Sequence, residues 1–357
     1  GLEAASRRVL FVGNSLTHRI REIDLPIVVP DASVSIDPHF HTNCGQSLAN
    51  TLENPTVTCG ALKAPYTDGS IYDALSGEPW SAIVFQPFSG TAHSELEAIK
   101  TMMDVHRCAY PDNRPEIYLY ATWPGRPEAS VDGFRSLWER DSFDPAASFT
   151  RDRKGLEWIY RRLKADYPDW EISYIGVGNM LAEMERKMEV GGLPTLGTIR
   201  TLFADEIHHG NIGHWIAAQS MITSILGVPP EQFKDSTLWY NNASTGYGRR
   251  VLDLPIAERN VIKSIIASSL AIGSEDELPA VSAALSEARG HFEIQFESTY
   301  DQNYIVAHSD DLSVWQPLEA IVGEGENGTL SYSTEASRGF FKIESPAEDL
   351  VTAYHPA

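Results

Sequence analysis

Hydrophobic and polar positions along the chain fall into two regimes. In the first, short apolar runs alternate with longer stretches of helical spacing. Val9-Leu10-Phe11-Val12 is a continuous apolar run that ends at Gly13-Asn14-Ser15. Such a run closed by a glycine turn predicts a strand buried on both faces. Similar extended runs lie at Ser33 to Phe40, Ala82 to Phe85, Ile117 to Ala121 and Ile172 to Val177. Between and after them, helical patterns cover Leu96 to Val105, Lys154 to Ala165, Met180 to Met188, Ile212 to Leu226 and about Leu254 to Ala271. Gly227 and Pro229-Pro230 mark the end of the fourth. Strands alternating with helices predict an α/β fold with a parallel sheet covered on both faces. In such sheets functional groups gather at the carboxyl ends of the strands.

The second regime begins after Gly273-Ser274-Glu275-Asp276-Glu277. Short alternating runs at Phe292 to Phe296, Tyr304 to Ala307, Leu318 to Val322, Leu330 to Tyr332 and Gly339 to Ile343 are separated by Asp, Gly, Asn and Ser turns. This is an all-β pattern. The expected division is an α/β domain over residues 1–275 and a small β-sandwich-like accessory domain over 288–346.

Composition narrows the function classes. The formal net charge is -21, from 28 basic and 49 acidic residues. Nucleic-acid binding needs clustered Lys and Arg, so that class is excluded, and acidic polymers are repelled at long range unless a local basic patch intervenes. No apolar run approaches the roughly 20 residues of a membrane span. The cysteines are Cys44, Cys59 and Cys108, with no C-x-x-C pair, so a zinc ribbon is unsupported. At most one intrachain disulfide can form, and a Cys44–Cys59 pair is conceivable in an oxidising compartment. His18, His39, His41 and His93 lie near strand ends but show no metal-ligating spacing, so neither a metal nor a cofactor is expected. The chain begins with Gly1 rather than Met, as expected of a processed or trimmed chain, one route being removal of a signal peptide. A secreted or periplasmic location is the corresponding expectation. The oligomeric state is left open.

Two segments carry chemistry. Ser15, after a buried strand and a tight turn, is projected from the sheet's carboxyl edge, either as a nucleophile or simply as a helix N-cap. Asp205-Glu206-Ile207-His208 puts a carboxylate and an imidazole on one short loop. A serine hydroxyl needs a base to take its proton, and that base needs a carboxylate to fix its tautomer. His209 directly follows the proposed base, but the three-residue spacing favours His208.

Gly13-Asn14-Ser15 and Asp205-x-x-His208, with Gly213 five residues on, together resemble the first and last blocks of the SGNH (GDSL-like) hydrolases in a G-N-S form. The resemblance spans roughly residues 6–230. It implies a flavodoxin-like three-layer α/β/α fold with a five-stranded parallel sheet. It also implies a Ser15–His208–Asp205 triad and ester hydrolysis through an acyl-enzyme. It implies further that the backbone amides of Ser15 and Gly45 bind the oxyanion. The family's third block, G-x-N-D, is replaced here by Phe85-Gln86-Pro87-Phe88. Gln86 carries the same amide on a longer arm and is the expected substitute donor. Trp123, at the end of the fourth strand, is the expected platform for a sugar ring or an acyl group. Ser309-Asp310-Asp311-Leu312-Ser313-Val314-Trp315 resembles a short β-module with an S-x-D-L-x-x-W core, appended to many secreted bacterial proteins. The expected function is therefore a carbohydrate O-acetyl esterase acting on an acylated poly- or oligosaccharide. The alternatives are a lipase, thioesterase or general short-chain esterase, an acyl transferase between sugars, and a non-catalytic polysaccharide-binding protein on a degraded hydrolase scaffold.

Overall fold

The computed structural model describes residues 5–18, 20, 34–59, 69–125, 133–140, 143–148, 151–232 and 254–271, and the backbone of seven later strands between 286 and 355. It divides into two compact units, Gly1–Glu275 and Asp276–Ala357.

In the first unit, five strands form one parallel sheet: β1 (Ala5–Gly13), β2 (Val34–Thr42), β3 (Ala82–Phe85), β4 (Glu116–Ala121) and β5 (Ile172–Gly176). Their order is β2-β1-β3-β4-β5, the flavodoxin-like arrangement. The inner strands are the apolar runs of the sequence, and Val9 to Val12 and Ala82 to Phe85 have no solvent exposure. The helices in chain order are α1 (Ser15–His18), α2 (Leu48–Glu53), α3 (Ile71–Gly77), α4 (Ala92–Ala109), α5 (Gly133–Trp138), α6 (Arg153–Asp166), α7 (Val177–Glu189), α8 (Asn211–Leu226) and α9 (Ile256–Ala271). α2, α3 and α6 pack on α4, whereas α5, α8 and α9 pack on α7, giving the two helical layers of a three-layer α/β/α fold.

Local chemistry sets the helix ends. Thr91 and Ser94 form a reciprocal capping box at the start of α4, and Asp152 caps α6 by accepting from the Gly155 amide. α8 stops at Gly227, whose φ of 66° is the left-handed cap that glycine favours. The short α2 and α3, which apolar periodicity did not predict, each begin at a serine cap, Ser47 and Ser70.

Register positions the site. Gly13 lies opposite Thr42, and Val12 lies opposite Phe85. The Asn43 amide donates to Gly13 O at 2.8 Å, and the Gln86 amide donates to Val12 O at 3.0 Å. The segments leaving β1, β2 and β3 therefore emerge side by side, where chain direction around the sheet reverses.

The second unit contains two antiparallel sheets. One orders β10 (Asn327–Ser333), β7 (His291–Glu297) and β6 (Ser286–Ala288); the other orders β12 (Glu348–His355), β11 (Gly339–Ser345), β8 (Asn303–Ser309) and β9 (Gln316–Val322). β6 begins before the expected bound at 288 and β12 lies beyond that at 346. Residues 310–315, including Trp315 of the module-like motif, lie outside the described residues. Among the described residues no helix is long and apolar enough to cross a membrane.

Candidate active site

Ser15 opens α1 directly after the β1 turn. Its Oγ lies 2.9 Å from His208 Nε2, and His208 Nδ1 lies 2.8 Å from Asp205 Oδ2. Three side chains separated by up to 193 positions thus form one hydrogen-bonded chain at the carboxyl edge of the sheet. His208 side-chain exposure is 23% and that of Asp205 is 51%.

The loop carrying Asp205 and His208 is tightly specified. Asp205 Oδ1 accepts from the Ile207 and His208 amides at 2.9 and 2.7 Å, an Asx-type turn that leaves Oδ2 for the imidazole. Burial pushes the Asp205 carboxyl up, but the His208 and Ile207 amides and the His208 ring together outweigh it and hold it near about 2. Asp205 is therefore ionised across the neutral range. A carboxylate at Nδ1 favours the tautomer that leaves Nε2 free to accept the serine proton. The Ala204 amide donates to His208 O, and the Gly210 amide donates to Leu202 O, closing the loop at its base. Gly213 is required there for space: a Cβ would stand 2.5 Å from His209 Cγ and 2.7 Å from Leu202 O.

Trp123 corrects a sequence expectation. It is only 1% exposed, and its Nε1 donates to Ile207 O at 2.8 Å. Its ring stacks on His209 with centroids 3.5 Å apart. Trp123 therefore braces the His208 loop from inside and offers no face to a substrate. His209, fully buried beneath it, has its ring pulled well below the usual histidine range, first by burial and then by His214 nearby. It stays neutral and is turned away from the role of base.

Gln86 corrects a second. Its Oε1 accepts from the Asn14 amide and from Thr17 Oγ1, both at 3.0 Å, and its Nε2 donates to Pro87 O at 3.0 Å. The buried carboxamide is spent on holding the turn that carries Ser15. Asn14 extends this brace: Oδ1 accepts from the Leu16 amide and Nδ2 donates to Gln46 O, joining the Ser15 turn to the loop after β2. That loop carries Gly45, whose φ of +73° favours glycine although a Cβ would meet nothing within 4 Å. Cys44 and Cys59 are disulfide-bonded, tying down the residue next to Gly45, and Cys108 is free and exposed. Among the described residues, no hydrogen bond within the chain occupies the Ser15 or Gly45 amide. No group of three or more His, Cys, Asp or Glu residues placed to hold a metal occurs among them.

Glu95 was not singled out from the sequence, although an acid on the apolar stripe of α4, with Ala92, Leu96 and Ile99, is a readable anomaly. Its buried carboxylate accepts from Phe88 N at 2.8 Å, Ala49 N at 3.2 Å and Leu48 N at 3.3 Å, fastening the segment after β3 to the start of α2. Burial pushes it up to about 7, against three amides that favour the charged form. The folded protein then holds a proton that the unfolded chain has lost. Glu95's contribution to stability accordingly falls as pH rises from about 4.5 to about 7, then levels off. Glu95→Gln removes this titration. Thermal melts of both proteins over that window should show the wild type losing stability relative to the variant as pH rises; parallel curves would mean Glu95 is charged throughout.

No family model and no curated protein matches the chain. Among solved structures, a DUF4886 family protein from Bacteroides uniformis is similar over 76% of this chain and 96% of its own, at 14% identity and a TM-score of 0.46. A protein described as "a putative SGNH hydrolase from Slackia heliotrinireducens" is similar over 62% of this chain and 99% of its own, at 18% identity and a TM-score of 0.38. At such distances the functional reading falls to the site's own residues.

Proposed function

We propose that the chain is a serine hydrolase of the SGNH type that cleaves esters through an acyl-enzyme. The observation that supports this most is the continuous hydrogen-bonded chain Ser15 Oγ–His208 Nε2 and His208 Nδ1–Asp205 Oδ2. His208 takes the Ser15 proton as Oγ adds to the ester carbonyl. The carbonyl oxygen becomes an oxyanion, held by the Ser15 and Gly45 amides. The first of these also benefits from the start of a helix, where backbone N–H groups point outward. His208 then gives the proton to the leaving alcohol as the C–O bond breaks. Water, activated by the same ring, releases the acid and restores Ser15. Asp205 stays ionised throughout and steadies the imidazolium.

The finer reading is removal of O-acetyl groups from a poly- or oligosaccharide. It rests on the order of the sequence blocks and on the appended β unit; Trp123, being buried, no longer contributes to it. A panel of acetylated sugars and longer acyl esters separates this from lipase or short-chain esterase activity.

The decisive test is a fluorophosphonate probe, which reacts only with an activated serine. Native protein should be modified at Ser15 alone, and heat-denatured protein should not react. A native protein that stays unlabelled would favour the non-catalytic polysaccharide-binding reading.

A further inference from the structure

Arg151 is the one non-glycine residue with positive φ among the described residues, at 57°. A bulky side chain persists in that region only when its surroundings hold it there. Its Nε donates to Trp123 O at 2.7 Å and its Nη1 donates to Phe88 O at 3.2 Å. These carbonyls belong to the segments leaving β4 and β3, so the guanidinium bridges two neighbouring strand ends on the edge that carries Ser15. The same Trp123 braces the His208 loop through Ile207 O. One face of the guanidinium lies over the Phe88 ring, 4.5 Å from its centroid.

No acid among the described residues pairs with this cation, in a chain with 49 Asp and Glu. Asp152, next in the sequence, is turned to cap α6. Burial alone draws the Arg151 guanidinium down to about 10, so it is still a cation at neutral pH, but a poorly hydrated one. Arginine has five N–H donors, and hydrogen bonds among the described residues use two of them. A desolvated guanidinium on a half-buried residue, with donors beyond the two used among the described residues, is matched by a planar carboxylate, which accepts two N–H bonds in parallel.

Building on the esterase reading above, we propose that Arg151 is a substrate-recognition residue that binds a carboxylate, so that the ester cleaved lies on a uronic-acid-type sugar. The chain's strong negative charge then makes Arg151 the local exception that admits an acidic substrate.

The test compares two acetylated methyl glycosides that differ only in carrying a uronate or the neutral uronamide. The wild type should favour the uronate by about tenfold or more in kcat/KM, mainly through KM. In Arg151→Gln this ratio should collapse toward one. Arg151→Lys keeps the charge but not the bidentate fork and should retain a reduced preference. The proposal is overturned if the wild type shows no preference, or if both variants lower the two substrates equally, as a purely structural clamp would. Calorimetry of the free uronate with Ser15→Ala protein reads the same site without turnover. Uronate binding that requires Arg151 supports the proposal even if no ester is cleaved. Absence of fluorophosphonate labelling separately marks failure of the esterase reading.

Discussion

Replacing Ser15 by alanine is expected to lower ester turnover by about 10⁴-fold or more, with stability changed by no more than roughly 0.5 kcal/mol. The first half follows from chemistry. Without Oγ no acyl-enzyme can form, and the remaining amides can only polarise an ester for attack by water. The second half follows from the contacts. Among the described residues the Ser15 hydroxyl bonds only His208, at a partly exposed position, whereas Asn14, Thr17 and Gln86 hold the turn without it. His208→Ala should cost a similar factor, and the double variant should be scarcely worse than either single one, because the two groups act as a unit. Steady-state kinetics on an activated acetyl ester, with melting curves for each variant, measures both halves. Turnover of Ser15→Ala within tenfold of wild type would remove Ser15 from the chemistry. A fully additive double variant would instead place His208 in a separate role.

How far such a site can be read from sequence depends on what each residue's meaning depends on. The inner strands were legible because a strand covered on both faces must be apolar at every position, as Val9 to Val12 and Ala82 to Phe85 are. The edge strand β2, with His, Asp and Pro among its residues, ran two residues past its predicted end. The Ser15 turn and the Asp205–His208 loop were legible because each is a local device: a strand–turn–helix junction and an Asx-type turn. Gln86 and Trp123 were correctly placed at strand ends but given the wrong direction. Sequence supplies the side chain at a strand end, whereas the partner it turns toward comes from the neighbouring strand. For Gln86 that partner is the Asn14 amide, and for Trp123 it is Ile207 O, 84 positions away. Glu95 and Arg151 went unread for a related reason. A charged residue becomes informative only once its burial is known, and burial is a tertiary property. Only the interruption of an apolar stripe hinted at Glu95, and nothing local marked Arg151.

The second large effect is expected at Gly13, the first residue of the G-N-S block. Gly13 does not adopt a positive φ, so its need is for space. A Cβ there would stand 2.4 Å from Thr17 Oγ1, 2.7 Å from Gln86 Oε1 and 2.9 Å from Gln86 Cβ. Neither neighbour can retreat freely. Gln86 is fixed by its backbone bond to Val12 O and by both ends of its carboxamide, and Thr17 by its bond to Gln86 and its burial. Gly13→Ala must therefore break the brace or push the turn away from it. Overpacking costs about 1–3 kcal/mol, and a buried donor left without its acceptor adds about 1–3 kcal/mol more. The displacement falls on Ser15, and a shift near 1 Å in a reacting group is worth roughly 10²-fold in rate. Gly13→Ala should thus lose both stability and kcat, and its fluorophosphonate labelling should slow in step with kcat. Gly45→Ala is the instructive contrast. There the obstacle is backbone conformation in otherwise open space, so the strain falls on the loop after β2, proposed above to hold the oxyanion, and leaves the Ser15–His208 pair in place. Its kcat should fall while Ser15 still meets His208. A Gly13→Ala protein with unaltered melting temperature and turnover would mean that the turn yields without moving Ser15, and that the Gln86–Asn14–Thr17 network does not position the nucleophile.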